Sequence, residues 1–290
     1  MSPDNHTICG DSITVAVKAD GAEMVSLKNG DGAELLWQAL PVWPRHSPIL
    51  FPIVGRLKGD ELHYRGKTYP MTQHGFARDR RFEWVERSAH SCTLAISDSA
   101  ATRAHYPFAF RLAVTYAVKD DYLDVTLEVT NPGDETLPVS AGAHPAFNWP
   151  LSVELAKEAH SITFSNAERE PIRRLNRGLM RKSPEPTPIH GKTLPLSERL
   201  FDDDAVILDR PSSTGLRYAA DRGPWVEVSW QGFRELGLWS KLGGADFLCI
   251  EPWRGFASPE DFDGEFSDKP GLMHLAPGDK QALTYRVRVG

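Results

Sequence analysis

The stretch Phe110-Arg111-Leu112-Ala113-Val114-Thr115-Tyr116-Ala117-Val118-Lys119-Asp120-Asp121-Tyr122-Leu123-Asp124-Val125-Thr126-Leu127-Glu128-Val129-Thr130 alternates apolar and polar residues on both sides of Lys119-Asp120-Asp121. A period of two places one set of side chains on one face, so it reads as two half-buried strands joined by a tight turn. Asn131-Pro132-Gly133-Asp134 is a second turn, and 136–141 returns as a third strand, predicting a three-stranded antiparallel meander.

The same pattern extends outward. Residues 12–17 and 22–27 alternate, Asn29-Gly30-Asp31-Gly32 punctuates, and 34–37 returns as the arm of a hairpin. Residues 225–230, 235–240, 247–250 and 282–289 are short and rich in β-branched or aromatic residues. Helical periodicity is confined to brief turns at 153–159 and 196–200. With no linker, low-complexity tract or repeat, residues 1–290 are expected to form one all-β antiparallel domain, with the proline-dotted 181–195 as a long surface connection.

The chain has 290 residues, 41% hydrophobic and 25% charged, enough to bury a sizeable core. Its net charge of -6 is dispersed, leaving no basic footprint for a nucleic acid. The polar start over residues 1–10 and the lack of a long apolar run argue against a leader or a membrane span, so the expected location is cytoplasmic. Cys9, Cys92 and Cys249 are scattered singly, which fits a reducing compartment and idle thiols, not a zinc knuckle.

Three distant segments are richer in reactive groups than strands require: Gln73-His74-Gly75-Phe76-Ala77-Arg78, Gly142-Ala143-His144-Pro145-Ala146-Phe147 and Glu251-Pro252-Trp253. Brought to one pocket, two histidines and a carboxylate supply a general acid, a general base and a polarising partner, the set that moves protons between two oxygens of a small polar substrate. Each has a plainer alternative. His74 before Gly75 also suits a structural turn, and His144 also suits a histidine satisfied in the core. Glu251, predicted at the inner end of the apolar strand 247–250, must be paired, solvated or functional; a salt bridge to Arg56, Arg78 or Arg254 would suffice.

These segments, together with Arg45-His46-Ser47-Pro48-Ile49-Leu50-Phe51-Pro52-Ile53-Val54-Gly55-Arg56-Leu57, resemble in order and spacing the aldose 1-epimerase (galactose mutarotase) family, and more narrowly its bacterial branch of often unassigned sugar. The resemblance implies a β-supersandwich of large antiparallel sheets and a sugar substrate, with no cofactor and no metal. It casts His144 as general acid, Glu251 as general base, His74 as the second histidine near the ring oxygen and Arg56 as a substrate-binding arginine. It also implies an aspartate for sugar hydroxyls, to be found among Asp202, Asp203 and Asp204, with Asp204 preferred. Gly55 stands where galactose enzymes carry asparagine, so galactose itself is not implied.

Trp37, Trp149, Trp239 and Trp253 offer apolar faces for a sugar, and Trp253 is preferred for its place beside Glu251. An ionised Glu251 and a protonated His144 are expected, each charge favouring the other. Two other readings remain. A hexose-6-phosphate 1-epimerase would clamp phosphate with Arg56, Arg78 and Arg254, and a sugar-binding or sugar-sensing protein would keep the pocket without turnover.

Overall fold

The computed structural model describes residues 4–290; Met1, Ser2 and Pro3, part of the polar start, lie outside the described residues. The alternating stretch forms the strands Arg111–Lys119 and Tyr122–Thr130, paired antiparallel with Tyr122 opposite Lys119. They sit inside a nine-stranded antiparallel sheet. Leu123, Val125, Leu127 and Val129 are fully buried while the residues between them are not, the one-sided burial that the alternation dictates.

The expected third strand departs from this sheet. The other flank of Tyr122–Thr130 is taken by Lys280–Val289, from the end of the chain. Leu137–Val139 pairs instead with Met273–Leu275, and Ala141–Ala143 joins a second sheet. Pro138 has no N–H for the interior of a wide ladder, whereas Lys280–Val289 offers an uninterrupted one. The departure delivers His144 to the second sheet.

That second sheet has six strands, including Val206–Leu208, Glu235–Trp239, Phe247–Arg254, Ala141–Ala143 and Ile49–Leu50, with Ala146–Asn148 also on Phe247–Arg254. Tyrosines of the nine-stranded sheet bridge the core: Tyr218 donates its hydroxyl to Asn148 O at 2.9 Å and Tyr116 to Ala22 O at 2.7 Å. The main apolar cluster runs from Ile8 to Val289.

Three other expectations change. Residues 34–37 form no strand ladder with their hairpin partner: one bridge joins Lys28 to Glu34, and the Glu34 carboxylate accepts from Ser26 Oγ at 2.5 Å and Leu27 N at 2.8 Å. The turns expected at 153–159 and 196–200 shrink to the 3₁₀ segments Lys157–Ala159 and Glu198–Phe201. Residues 181–195 are mostly irregular, as expected, but end in the edge strand Thr193–Pro195. Cys9, Cys92 and Cys249 are all free. No helix among the described residues is long and apolar enough to cross a membrane.

Candidate active site

Phe247–Arg254 runs four residues past the apolar segment, so Glu251 lies inside a strand rather than at its end. It faces Gly237 across the ladder and is 1% exposed. A connection of two residues between Ala141–Ala143 and Ala146–Asn148, both paired with that strand, brings His144 over the same surface. Its Nε2 lies 3.2 Å from Glu251 Oε2. None of the arginines expected as salt-bridge partners reaches this carboxylate; the imidazole is its only ion-pair partner among the described residues.

His74 arrives by a different device. It and Gly75 both adopt left-handed backbone, with φ 64° and 71°, a conformation that costs a non-glycine residue and clusters at functional sites. A Cβ on Gly75 would collide with Phe51 O, so the close approach requires glycine. Gly55 holds His74 twice: its carbonyl accepts the His74 N–H at 2.7 Å, and its N–H donates to Nδ1 at 3.1 Å. With Nδ1 accepting, the neutral ring carries its proton on Nε2. The two imidazoles meet edge to face, centroids 5.6 Å apart.

Trp253 packs across two glycines. A Cβ on Gly142 would come within 2.8 Å of its Cδ1, and one on Gly237 would overlap its six-membered ring. Trp253, Glu251, His144, His74, Arg78 and Asp204 all line one cavity of about 320 Å³, within the range of small-molecule sites, roughly 300–1,000 Å³. Of the three adjacent aspartates, Asp204 is the one on the wall, while Asp203 ion-pairs with Arg181 at 3.3 Å. Arg174 Nη1 donates to the Asp204 carbonyl at 2.9 Å and pins it in a left-handed conformation, φ 67°.

Arg56 is not brought to the cavity wall. It is committed to Asp60 through two hydrogen bonds of 2.6 Å. Arg254 is also off the wall, beside Arg234 and Glu235, so the expected three-arginine clamp does not assemble. Arg78 is joined at this end by Arg45, which ion-pairs with Asp79 at 2.9 Å. Arg78 donates Nη2 to Gln73 O at 2.7 Å, while its buried Nε has no hydrogen-bond partner.

Sequence reasoning missed Trp43, which stacks on His144 with centroids 5.1 Å apart and 29° between planes. It adjoins the Arg45–Leu57 motif in sequence, yet only the folded path shows the stacking. Trp239 also lines the cavity, whereas Trp37 and Trp149 are buried away from it.

The electrostatics reverse the expected ionisation. Burial pushes the Glu251 carboxyl well above the usual range, partly opposed by the Trp253 indole and reinforced by Asp204. Burial lowers His144 to about 3, with Arg78 and Arg45 adding to the shift. Desolvation exceeds mutual attraction, so the closed pocket favours neutral forms of both. His74 is likewise lowered, first by burial and then by His144. Arg78, desolvated and beside Arg45, falls to about 10.

The Aldose 1-epimerase family model matches residues 4–271. Protein LacX (plasmid) of Lactococcus lactis subsp. lactis is 33% identical over 289 residues, covering 96% of both chains. A galactose mutarotase related enzyme from Lactobacillus acidophilus superposes with a TM-score of 0.93 at 34% identity, over 99% of this chain and 97% of that one. A galactose mutarotase-like protein from Lactobacillus casei gives 0.91 at 31%, over 99% and 100%. With large antiparallel sheets on the galactose mutarotase-like plan, this chain belongs to the aldose 1-epimerase family and is a sugar epimerase, an isomerase.

Proposed function

We propose that the protein interconverts the α and β anomers of an aldose by ring opening and reclosure, with His144 and Glu251 exchanging protons with the sugar and His74 donating a hydrogen bond to its ring oxygen. The observation that carries this reading is the 3.2 Å approach of two buried titratable groups on the wall of a sugar-sized cavity. Ring opening removes the proton of the anomeric hydroxyl and delivers one to the ring oxygen. With Glu251 ionised and His144 protonated, Glu251 accepts and His144 donates. The open-chain aldehyde then faces a neutral pair, rotates about C1–C2, and the reverse transfers close the ring on either face.

The ionised and neutral pairs hold the same single proton, so each half-reaction converts one into the other. Burial favours the neutral pair, which is the closing state. Sugar hydroxyls solvate the ionised state that opens the ring. His74 keeps its Nε2–H because Gly55 occupies Nδ1. Asp204 and Arg78 bind hydroxyls, and Trp253 offers an apolar edge to the C–H face.

Arg78, whose Nε makes no hydrogen bond and only a 3.7 Å ion pair with Asp79, lies beside Arg45 and favours a second reading in which the aldose carries an anionic group such as a 6-phosphate. Anomer exchange followed by NMR from freshly dissolved α-glucose, α-galactose and glucose 6-phosphate separates the two. Acceleration that Glu251→Gln abolishes supports catalysis, and restriction to the phosphate ester favours the second reading. Sugar binding with no acceleration on any aldose would mean a binding protein.

A further inference from the structure

Cys249 has no part in the proton transfers above, yet it stands against them. It lies two residues before Glu251 on Phe247–Arg254, so both side chains leave the strand on the same face. One donor atom each from His144, Cys249 and Glu251 lies within 4.8 Å of the other two, and all three residues are buried. Glu251 Oε2 is fully enclosed, 3.2 Å from His144 Nε2, but has no hydrogen-bond partner. The imidazole nitrogen and the carboxyl oxygen thus converge on one point, and each can offer a lone pair once the single proton of the pair is displaced.

That spacing is the edge of a metal tetrahedron. Zinc–nitrogen and zinc–oxygen bonds of about 2.1 Å set at a tetrahedral angle separate the two donors by about 3.4 Å. A thiolate at about 2.3 Å from the ion completes a third vertex after Sγ closes by roughly 1 Å.

We propose that His144, Cys249 and Glu251 form a binding site for a divalent cation of the zinc type, and that occupancy shuts the enzyme off. Thiolate with imidazole selects zinc-like ions over magnesium or calcium, which prefer oxygen ligands alone. Thiolate and carboxylate together cancel the ion's two charges, so the loaded site is neutral and escapes the penalty of burying net charge. The thiol, and the carboxyl when protonated, release their protons on binding. The fourth position opens to the cavity, since His144 and Glu251 line it and Cys249 lies behind them. The bound ion occupies the nitrogen and oxygen lone pairs that exchange protons with sugar. The inhibition rests on the catalytic reading, whereas the binding does not.

Cobalt(II) added to the intact protein tests the binding directly. A near-ultraviolet thiolate-to-cobalt charge-transfer band, with intense tetrahedral ligand-field absorption, is expected in wild type and absent in Cys249→Ser and Cys249→Ala. In parallel, zinc titrated into the anomer-exchange assay should inhibit wild type reversibly, with EDTA restoring the rate. Cys249→Ser should retain basal exchange and need at least about 100-fold more zinc, beyond what loss of an outer-shell partner gives. Equal zinc sensitivity in wild type and a folded Cys249 variant, or a cobalt protein without the thiolate band, overturns the site. A cobalt band in a protein that exchanges no anomer upholds the site while refuting the catalytic reading.

Discussion

His144 Nε2 and Glu251 Oε2 lie 3.2 Å apart although the residues are distant in the chain and neither belongs to an arginine salt bridge. On the proposed mechanism its two members act as one unit. Glu251→Gln and His144→Asn should each lower kcat by on the order of 10² to 10⁴. The double variant should lose little more than either alone, because neither group works without the other. Single-turnover or NMR exchange rates for the four proteins check this; multiplicative losses would mean independent roles.

The pH dependence follows from the two opposite shifts. His144 gains a second proton for the pair only near pH 3, and Glu251 gives up the last one only well above the usual carboxyl range. Between these limits the pair holds the one proton that the reaction needs. We expect kcat/KM, corrected for spontaneous mutarotation, to be flat across neutral pH and to fall on the alkaline side. A bell with limbs near the ordinary values of 4.5 and 6.5 would contradict the burial argument.

Stability should move the other way from activity in Glu251→Gln. The folded carboxyl keeps a proton that the unfolded chain has released above its usual pKa, so wild-type stability declines as pH rises towards the raised folded value. Glutamine keeps the shape and lacks the titration. The variant should therefore melt higher than wild type, with a larger margin at pH 8 than at pH 5. Calorimetry at the two pH values decides it, and an equal or inverted margin would refute the shift.

Trp253 depends on the two glycines beneath it. Gly237→Ala places a methyl group into the indole, an overpacking that costs about 1–3 kcal/mol and displaces a cavity wall. A lower denaturation midpoint and a raised KM are expected together. Gly237→Ala combined with Trp253→Leu should recover stability without recovering KM.

The adjacent aspartates provide a test with internal controls. Asp204→Asn should raise KM for sugar, while Asp202→Asn and Asp203→Asn should leave it near wild type, because only Asp204 lines the cavity. Steady-state exchange rates over a sugar series are the measurement, and a KM effect confined to Asp202 or Asp203 would reassign the residue.

Much of this protein is legible without coordinates, because strand periodicity is a local property. Leu123 to Val129 alternates and is buried on one side, and the motifs around His74, His144 and Glu251 point to acid–base chemistry before any distance is known. Chain order alone, however, suggested a third meander strand where the fold pairs Tyr122–Thr130 with Lys280–Val289. Sheet partners are chosen by long-range hydrogen bonding and packing, which the local alternation does not encode. For the same reason sequence could not remove Arg56 from the cavity, where Asp60 holds it away, or place Trp43 against His144.

The ionisation of His144 and Glu251 is the clearest division. Residue types alone suggest that a carboxylate beside an imidazole should form an ion pair, since opposite charges attract. Whether they do depends on how much water the surrounding fold removes, and here Trp43, Trp239 and Trp253 enclose the site. Sequence determined the strands and the chemical groups; tertiary structure decided their partners and their charge, because desolvation is set by atoms from every part of the chain.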